Sequence, residues 1–437
     1  MGEISAKQLA DAWPALRRLC HDTLHTALVP LHGPVPPALL LLRLLAVFVS
    51  KATETLESRK ERQDLTQRLV GQCLALIPQP KGAAAKKPPE NMEPAIWISA
   101  ASAVRLLGCD ETRWASLMGV ATPLGSPPDA NAWALGTGLL VLQWLASALP
   151  ALCAMVWFAD AELLCSTLGG FVPLIMAQMD PNSSPWLSKA AADLTSAFAK
   201  DPKTLEVWRP ALLSMIQHKN FFQRPPSTLR SLKVAVDATF QGDIARLPLL
   251  LGRTTSQSNL PTAFKRTPDA LTERSDGLRR LAFVIWCGQL EQHRSALPIV
   301  VEALVDAMQS VESAEQSGEE NAGGAAVLLL SVFLCMRVVC VRVTAANLAP
   351  FWPLVTAELL RVLAADGHYT EVDKVVAAAC QLLQLLRLLQ PVAFASFESV
   401  FSEPYISPLA AKWSCVSSEQ LTTIHIADEE ILLDFFS

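Results

Sequence analysis

Cys20, His21 and His25 lie within six residues of one another, and two kinds of chemistry use that combination. His21 and His25 stand four apart, which places both imidazoles on one face of a helix beside a thiol, a spacing compatible with a metal. A zinc site needs a third and a fourth ligand, and nothing in the neighbouring sequence supplies them. Cys20 with either histidine would also make a nucleophile and its base, but the only carboxylate at hand to orient the base is Asp22. The plainer reading, a pair of half-exposed histidines on a helix, is preferred to both. No other segment offers more. There is no GxxxxGK[ST], GxSxG or HExxH, and Gly136-Thr-Gly138 lacks the third glycine of a dinucleotide loop. The ten cysteines are scattered, mostly inside apolar runs, with no CxxC pair, which fits small buried hydrophobes in a reducing compartment. The sequence points away from an enzyme, with no catalytic residue, cofactor or metal assigned.

Nucleic acid is also disfavoured as a partner. The 36 Lys and Arg against 41 Asp and Glu give a net charge of −5. Of the eleven tryptophans, only Trp114, Trp208 and Trp413 directly adjoin a basic residue, so core packing is a better account of them than base stacking. The stretches Arg59-Lys60-Glu61-Arg62 and Lys86-Lys87 read as solvated surface, or as a weak contact with an anionic membrane.

The elements that must carry any site are helices. Hydrophobic residues make up 51% of the 437 positions and charged ones only 18%, against about 25% in typical soluble domains. Leu, Ala, Gln and Glu recur in blocks with apolar residues three and four apart. The later blocks predict helices over Pro185–Ala199, Lys203–Gln217, Pro226–Phe240, Ser275–Gln292, Ser295–Glu312, Gly324–Val343, Leu348–Ala365 and Glu371–Gln390. Thirty prolines suit the first turns and short connections of such an array. About sixteen helices in pairs, with no exact repeat, predict an all-α chain built as an irregular α-solenoid of HEAT or armadillo type. The segments are an N-terminal helical stretch 1–77, a Lys/Pro-rich linker 78–94, a helical array 95–250, a polar loop 251–274 and a C-terminal array 275–437. The leucine-dense block Leu382–Leu389 reads as a helix buried on more than one side rather than a coiled-coil seam.

One segment bears on the membrane. Ala130–Ala159 holds 30 residues without a charge, enough to cross a bilayer, which takes about 20. Gln143, Ser147 and Pro150 interrupt it and no basic cluster flanks it, so a buried antiparallel helix pair is preferred, with an integral membrane anchor as the alternative. The N-terminus lacks the layout of a signal peptide, and Ala6 stands where a myristoylation signal has Ser or Thr. The cytoplasm is the expected compartment.

Several pieces then recur in one order. Glu206-Val-Trp-Arg-Pro210 leads to Asn220-Phe-Phe-Gln223, and Ala245-Arg-Leu-Pro-Leu-Leu-Leu-Gly-Arg253 follows. Leu278-Arg-Arg-Leu-Ala-Phe-Val-Ile285 precedes Gln289-Leu-Glu-Gln-His293 and Leu297-Pro298. Ala346-Asn-Leu-Ala-Pro-Phe-Trp-Pro353 runs into Thr356-Ala-Glu-Leu-Leu-Arg361, and Ala379-Cys380 with Leu382-Leu383 closes the series. From about Leu205 to Phe401 the chain resembles the C-terminal region of the Dopey family, large eukaryotic proteins of Golgi and endosome traffic. The motif residues Arg279, Leu281, Phe283, Asn347, Trp352, Pro353, Glu358 and Leu359 are expected to be structural, with Trp352 anchoring a helix start. His293 replaces the Tyr of the family pattern, and Gln384 replaces its Asp. Family members are much longer, which leaves a short form, a fragment and an incomplete gene product as accounts of this chain.

The resemblance implies a non-catalytic scaffold or adaptor, peripheral on Golgi and endosomal membranes, serving protein transport and endosome-to-Golgi retrieval. The implied partner is a large Golgi-associated scaffold related to Arf exchange factors. Contact with the cytosolic face of the membrane would be direct or through that partner. Oligomeric state does not follow from the sequence.

Overall fold

The computed structural model describes residues 13–22, positions 61, 64, 65, 68 and 408, and, with internal gaps, residues 172–401. His25, the linker 78–94, the segment Ala130–Ala159 and the rest of 1–77 lie outside the described residues. Among the described residues every regular element is helical, and the class is all-α. The longer helices are α1 (Pro185–Ala199), α2 (Pro202–Gln217), α3 (Pro226–Phe240), α4 (Pro268–Cys287), α5 (Leu297–Gln316), α6 (Ala322–Arg342), α7 (Trp352–Ala364) and α8 (Val372–Leu389). Proline opens α1, α2, α3 and α4 and stands second in α5 and α7. Its fixed φ suits the first turn, and the amide hydrogen it lacks would have no intrahelical partner there.

The chain divides into two compact units, one of Met1–Leu213 with Gln223–Ala235 and the other of Ser214–Phe222 with Val236–Ser437. In the first, the Ser196 hydroxyl of α1 donates to the Ser231 carbonyl, and Thr228 Oγ1 donates to Ser188 Oγ at 3.1 Å. Phe198 stacks on Trp208 with ring centres 5.4 Å apart, and both side chains are buried. Arg224 donates from Nε to the Met179 carbonyl at 2.6 Å, while burial pushes its guanidinium down to about 10.

The second unit is organised around α6, which packs against α4, α5 and α8; α7 packs against α8, and the short helix Leu247–Leu250 against α4. From Ala325 to Cys340 nearly every side chain of α6 is apolar, and Leu328, Leu329, Val332, Phe333, Met336 and Val339 have no exposure. A helix with no polar face is stable in water only when enclosed. By length and composition alone Gly323–Arg342 would also pass for a membrane span, but 78% of it is buried in the protein. Small residues bring α4 and α6 close. Ser275 and Ser331 hydroxyls meet at 2.7 Å, and a Cβ on Gly324 would stand 3.1 Å from Leu271 Cδ1. Arg337, the one charge inside the run, is 5% exposed and donates to Gln381 Oε1 of α8 at 2.7 Å.

Three sequence expectations are corrected. The helix expected over Ser275–Gln292 begins earlier, at Pro268, inside the segment read as a polar loop over 251–274. The first turns of α4 bury Leu271 and Ser275 while Thr272 and Glu273 stay exposed, so polar composition there marks a wet helix face. The same helix stops at Cys287, where Gly288 and a positive φ of 65° at Glu291 turn the chain. The helix expected over Leu348–Ala365 begins later, at Trp352, and Leu348 instead ends a separate short helix, Ala345–Leu348. Pro350 and Pro353 supply no amide hydrogen and disfavour helix in the residues before them.

Leu329→Ala removes a fully buried side chain from α6, where three helices leave little room to collapse. It is expected to destabilise the chain by about 2–5 kcal/mol, read as a lower denaturant midpoint for the transition that reports this unit.

Candidate functional site

Two of the sequence blocks meet in one aromatic cluster. The turn of 3₁₀ helix Phe221–Gln223 lays Phe221 and Phe222 against Phe283 of α4, with ring centres 5.3 and 6.0 Å apart in edge-on geometry. Trp286, one turn further along α4, lies 5.6 Å from Phe283. Arg279 caps the cluster, its guanidinium carbon 4.5 Å from the Phe222 ring centre, an arrangement worth about 0.5–2 kcal/mol. Phe283 and Leu281 are fully buried and Arg279 is half-buried.

A second group surrounds the turn that follows α4. The Glu291 backbone N–H donates to the Arg342 carbonyl at the end of α6, at 2.9 Å. Its carboxylate receives the Thr344 backbone N–H and, at 2.8 Å, the Asn347 side-chain amide. These bonds tie Gly288–His293 to the start of the helix Ala345–Leu348. The Thr344 and Asn347 donors hold the Glu291 carboxyl below the usual carboxylate range. On the far side, Gln292 Nε2 donates to Asp237 of α3.

The third group belongs to α7. Trp352 is its first residue and is 5% exposed, Pro353 is exposed, and Leu359 is fully buried. Glu358 is 4% exposed and accepts two bonds from Arg361, at 3.0 and 2.7 Å. Arg361 also reaches Glu315 of α5 at 3.1 Å, so one guanidinium serves two carboxylates. The structure thus gathers Arg279, Leu281 and Phe283 around the aromatic cluster, places Asn347 at the Glu291 turn, and puts Trp352, Pro353, Glu358 and Leu359 on α7. It does not unite the three groups in one cleft.

No group of three or more His, Cys, Asp or Glu side chains able to hold a metal occurs among the described residues. Cys20 is fully buried, and burial pushes its thiol up to about 11, so the nucleophile at neutral pH is lacking. Burial likewise pushes Cys335 and Cys340 up to about 12. Sequence reasoning missed the Glu291 turn and the Arg361–Glu315 bridge. Each joins residues about fifty positions apart, and only the Glu358–Arg361 spacing carried a local signal.

The match to known proteins covers the same region. A family model described as DOP1 C-terminal matches residues 170–403. The chain belongs to the DOP1 family. This is the Dopey family of the sequence resemblance, and the match reaches further toward the N-terminus than Leu205. The DOP1 homologue of Drosophila melanogaster is 26% identical over 174 residues, 40% of this chain and 6% of the fly protein. Mouse DOP1B is 24% identical over 365 residues, 82% of this chain and 14% of the mouse protein. Protein pad-1 of Caenorhabditis elegans is 24% identical over 256 residues, 55% of this chain and 10% of the worm protein. The chain therefore spans 6 to 14% of the length of these relatives. The mouse alignment also takes in part of the first 200 residues, where no block was recognised. No solved structure matches.

Two expectations follow. A thiol-alkylating probe at neutral pH leaves Cys20 unlabelled in the native chain and labels it after denaturation, as peptide mapping by mass spectrometry would show. Trp352→Ala lowers the melting temperature, consistent with about 3–5 kcal/mol for emptying a buried tryptophan site. An unchanged melt would place Trp352 outside the stabilising core.

Proposed function

We propose that this chain is a non-catalytic scaffold or adaptor of membrane traffic, working between Golgi and endosomes through protein–protein contacts. Membership of the DOP1 family carries the reading, because the resemblance implies transport proteins without a reaction centre. The side chains of the family motifs support it in kind. Several are engaged in aromatic packing, a side-chain hydrogen bond and an ion pair within the protein.

In this reading the helices continue as an irregular α-solenoid. α4, α5 and α6 pack on one another, and α8 packs on both α6 and α7. Such arrays offer a long surface on which a partner can lie. The partner is a large Golgi-associated scaffold related to Arf exchange factors, and the chain resides on the cytosolic face of Golgi and endosomal membranes.

The test is fractionation of cells expressing the chain, followed by an alkaline carbonate wash and affinity purification. Release into the supernatant together with recovery of membrane-traffic proteins is the expected result. Retention in the pellet would instead favour an integral protein anchored through Ala130–Ala159. Release without any such partner would overturn the scaffold reading.

A further inference from the structure

The turn Gly288–His293 joins three parts of the second unit, and a histidine is packed beneath it. His293 is 7% exposed, and its Nε2 is buried with no hydrogen-bond partner. The ring edge formed by Nε2 and Cδ2 stands close to Gly288, just past the end of α4. A Cβ on Gly288 would sit 2.6 Å from Nε2, so any larger residue there would require the imidazole to shift. Gln292 reaches from the turn to Asp237, and Glu291 reaches the other way to Thr344 and Asn347.

We infer that this turn is a proton-operated latch, in which protonation of His293 opens Gly288–His293 and releases Glu291 from Thr344 and Asn347. A neutral imidazole tolerates a buried, unsatisfied acceptor. An imidazolium places a charged donor at a buried position where no protein group accepts its hydrogen bond. The ring must then move to solvent or displace Gln292 from Asp237, and either movement disturbs the turn that carries Glu291.

The charged residues nearest the turn along the chain are Asp237 near the end of α3, Glu291 and Arg294 in and beside the turn, and Arg342 at the end of α6, with Arg230 and Lys233 further back on α3 and Arg279 and Arg280 on α4. Burial pushes the His293 imidazole below its ordinary range, against the opposing pull of Asp237. Its folded value is thus lower than its unfolded one, about 6.5. The stability it contributes is present above that pH and is lost as pH falls from there through the folded value. Glu291 does not account for a loss in this window, because its carboxyl is held below the usual carboxylate range and stays ionised.

The test uses the full chain. Exchange of the His293 C2 hydrogen, followed by mass spectrometry across pH, gives its titration midpoint directly. A midpoint below about 6.5 is expected, and one at or above that value overturns the latch. Amide exchange of peptides covering 288–293 and 343–348, corrected for intrinsic rates, is compared at pH 7.5 and 5.5. One pH unit of depression corresponds to about a fivefold loss of protection at about pH 5.5, rising toward about tenfold at lower pH. His293→Tyr, which restores the residue of the family pattern, should abolish that loss, and His293→Phe serves if the tyrosine variant does not fold. An equal loss in wild type and variant, or none in wild type, overturns the proposal.

Discussion

A 21-residue helix that is apolar on every face must be surrounded, and α6 imposes that condition on the second unit. Three helices are needed to cover it, which is why α4, α5 and α8 all converge there although they are separated in sequence. The other features serve this enclosure. Ser275, Ser331 and Gly324 let α4 approach closely, and the Arg337–Gln381 bond holds α8 at one register. The Glu291 turn fixes the end of α6 at Arg342, and the Arg361 bridge ties α7 to α5. Taking the Gln381 partner away from Arg337 would leave a buried guanidinium short of a hydrogen bond, whereas an apolar pair at the two positions need not be less stable.

Helix class and most helix positions were legible because three-and-four spacing and proline at first turns are local signals. Pro185–Ala199 and Pro226–Phe240 coincide with the expected ranges. Polar composition misled at 268–274, since a helix on the surface is polar on one face, and the periodicity that reveals it needs Leu271, Ser275 and Leu278 to be seen as one stripe. The end of α4 was illegible for another reason. Glu291 adopts a left-handed conformation usually left to glycine, and bonds to residues some fifty positions away hold it there.

The motif residues were visible as types but not as neighbours. Nothing in Asn220-Phe-Phe-Gln223 announces that both rings meet Phe283, or that Arg279 lies over Phe222. The leucine density of α8 predicts burial on more than one side. Leu382, Leu383 and Leu386 are buried, while Leu388 is 45% exposed, so the helix has a covered face and a wetter end. The buried state of Cys20 was likewise hidden, because the sequence shows a thiol beside two histidines and not the packing that keeps it protonated.

Arg337 matters before the fold is complete. During synthesis α6 leaves the ribosome ahead of α8, so for a time it is a long apolar helix lacking one of its three covering elements. In that interval it resembles a segment that the membrane-insertion machinery accepts. A basic residue raises the cost of insertion by about 2.5–3.5 kcal/mol at the centre of such a segment and by less toward its end, where Arg337 lies, and Arg337 meets Gln381 only when α8 arrives. The same side chain that makes the finished interior polar at one point thus makes the nascent helix less apt to enter a bilayer before its last neighbour is made.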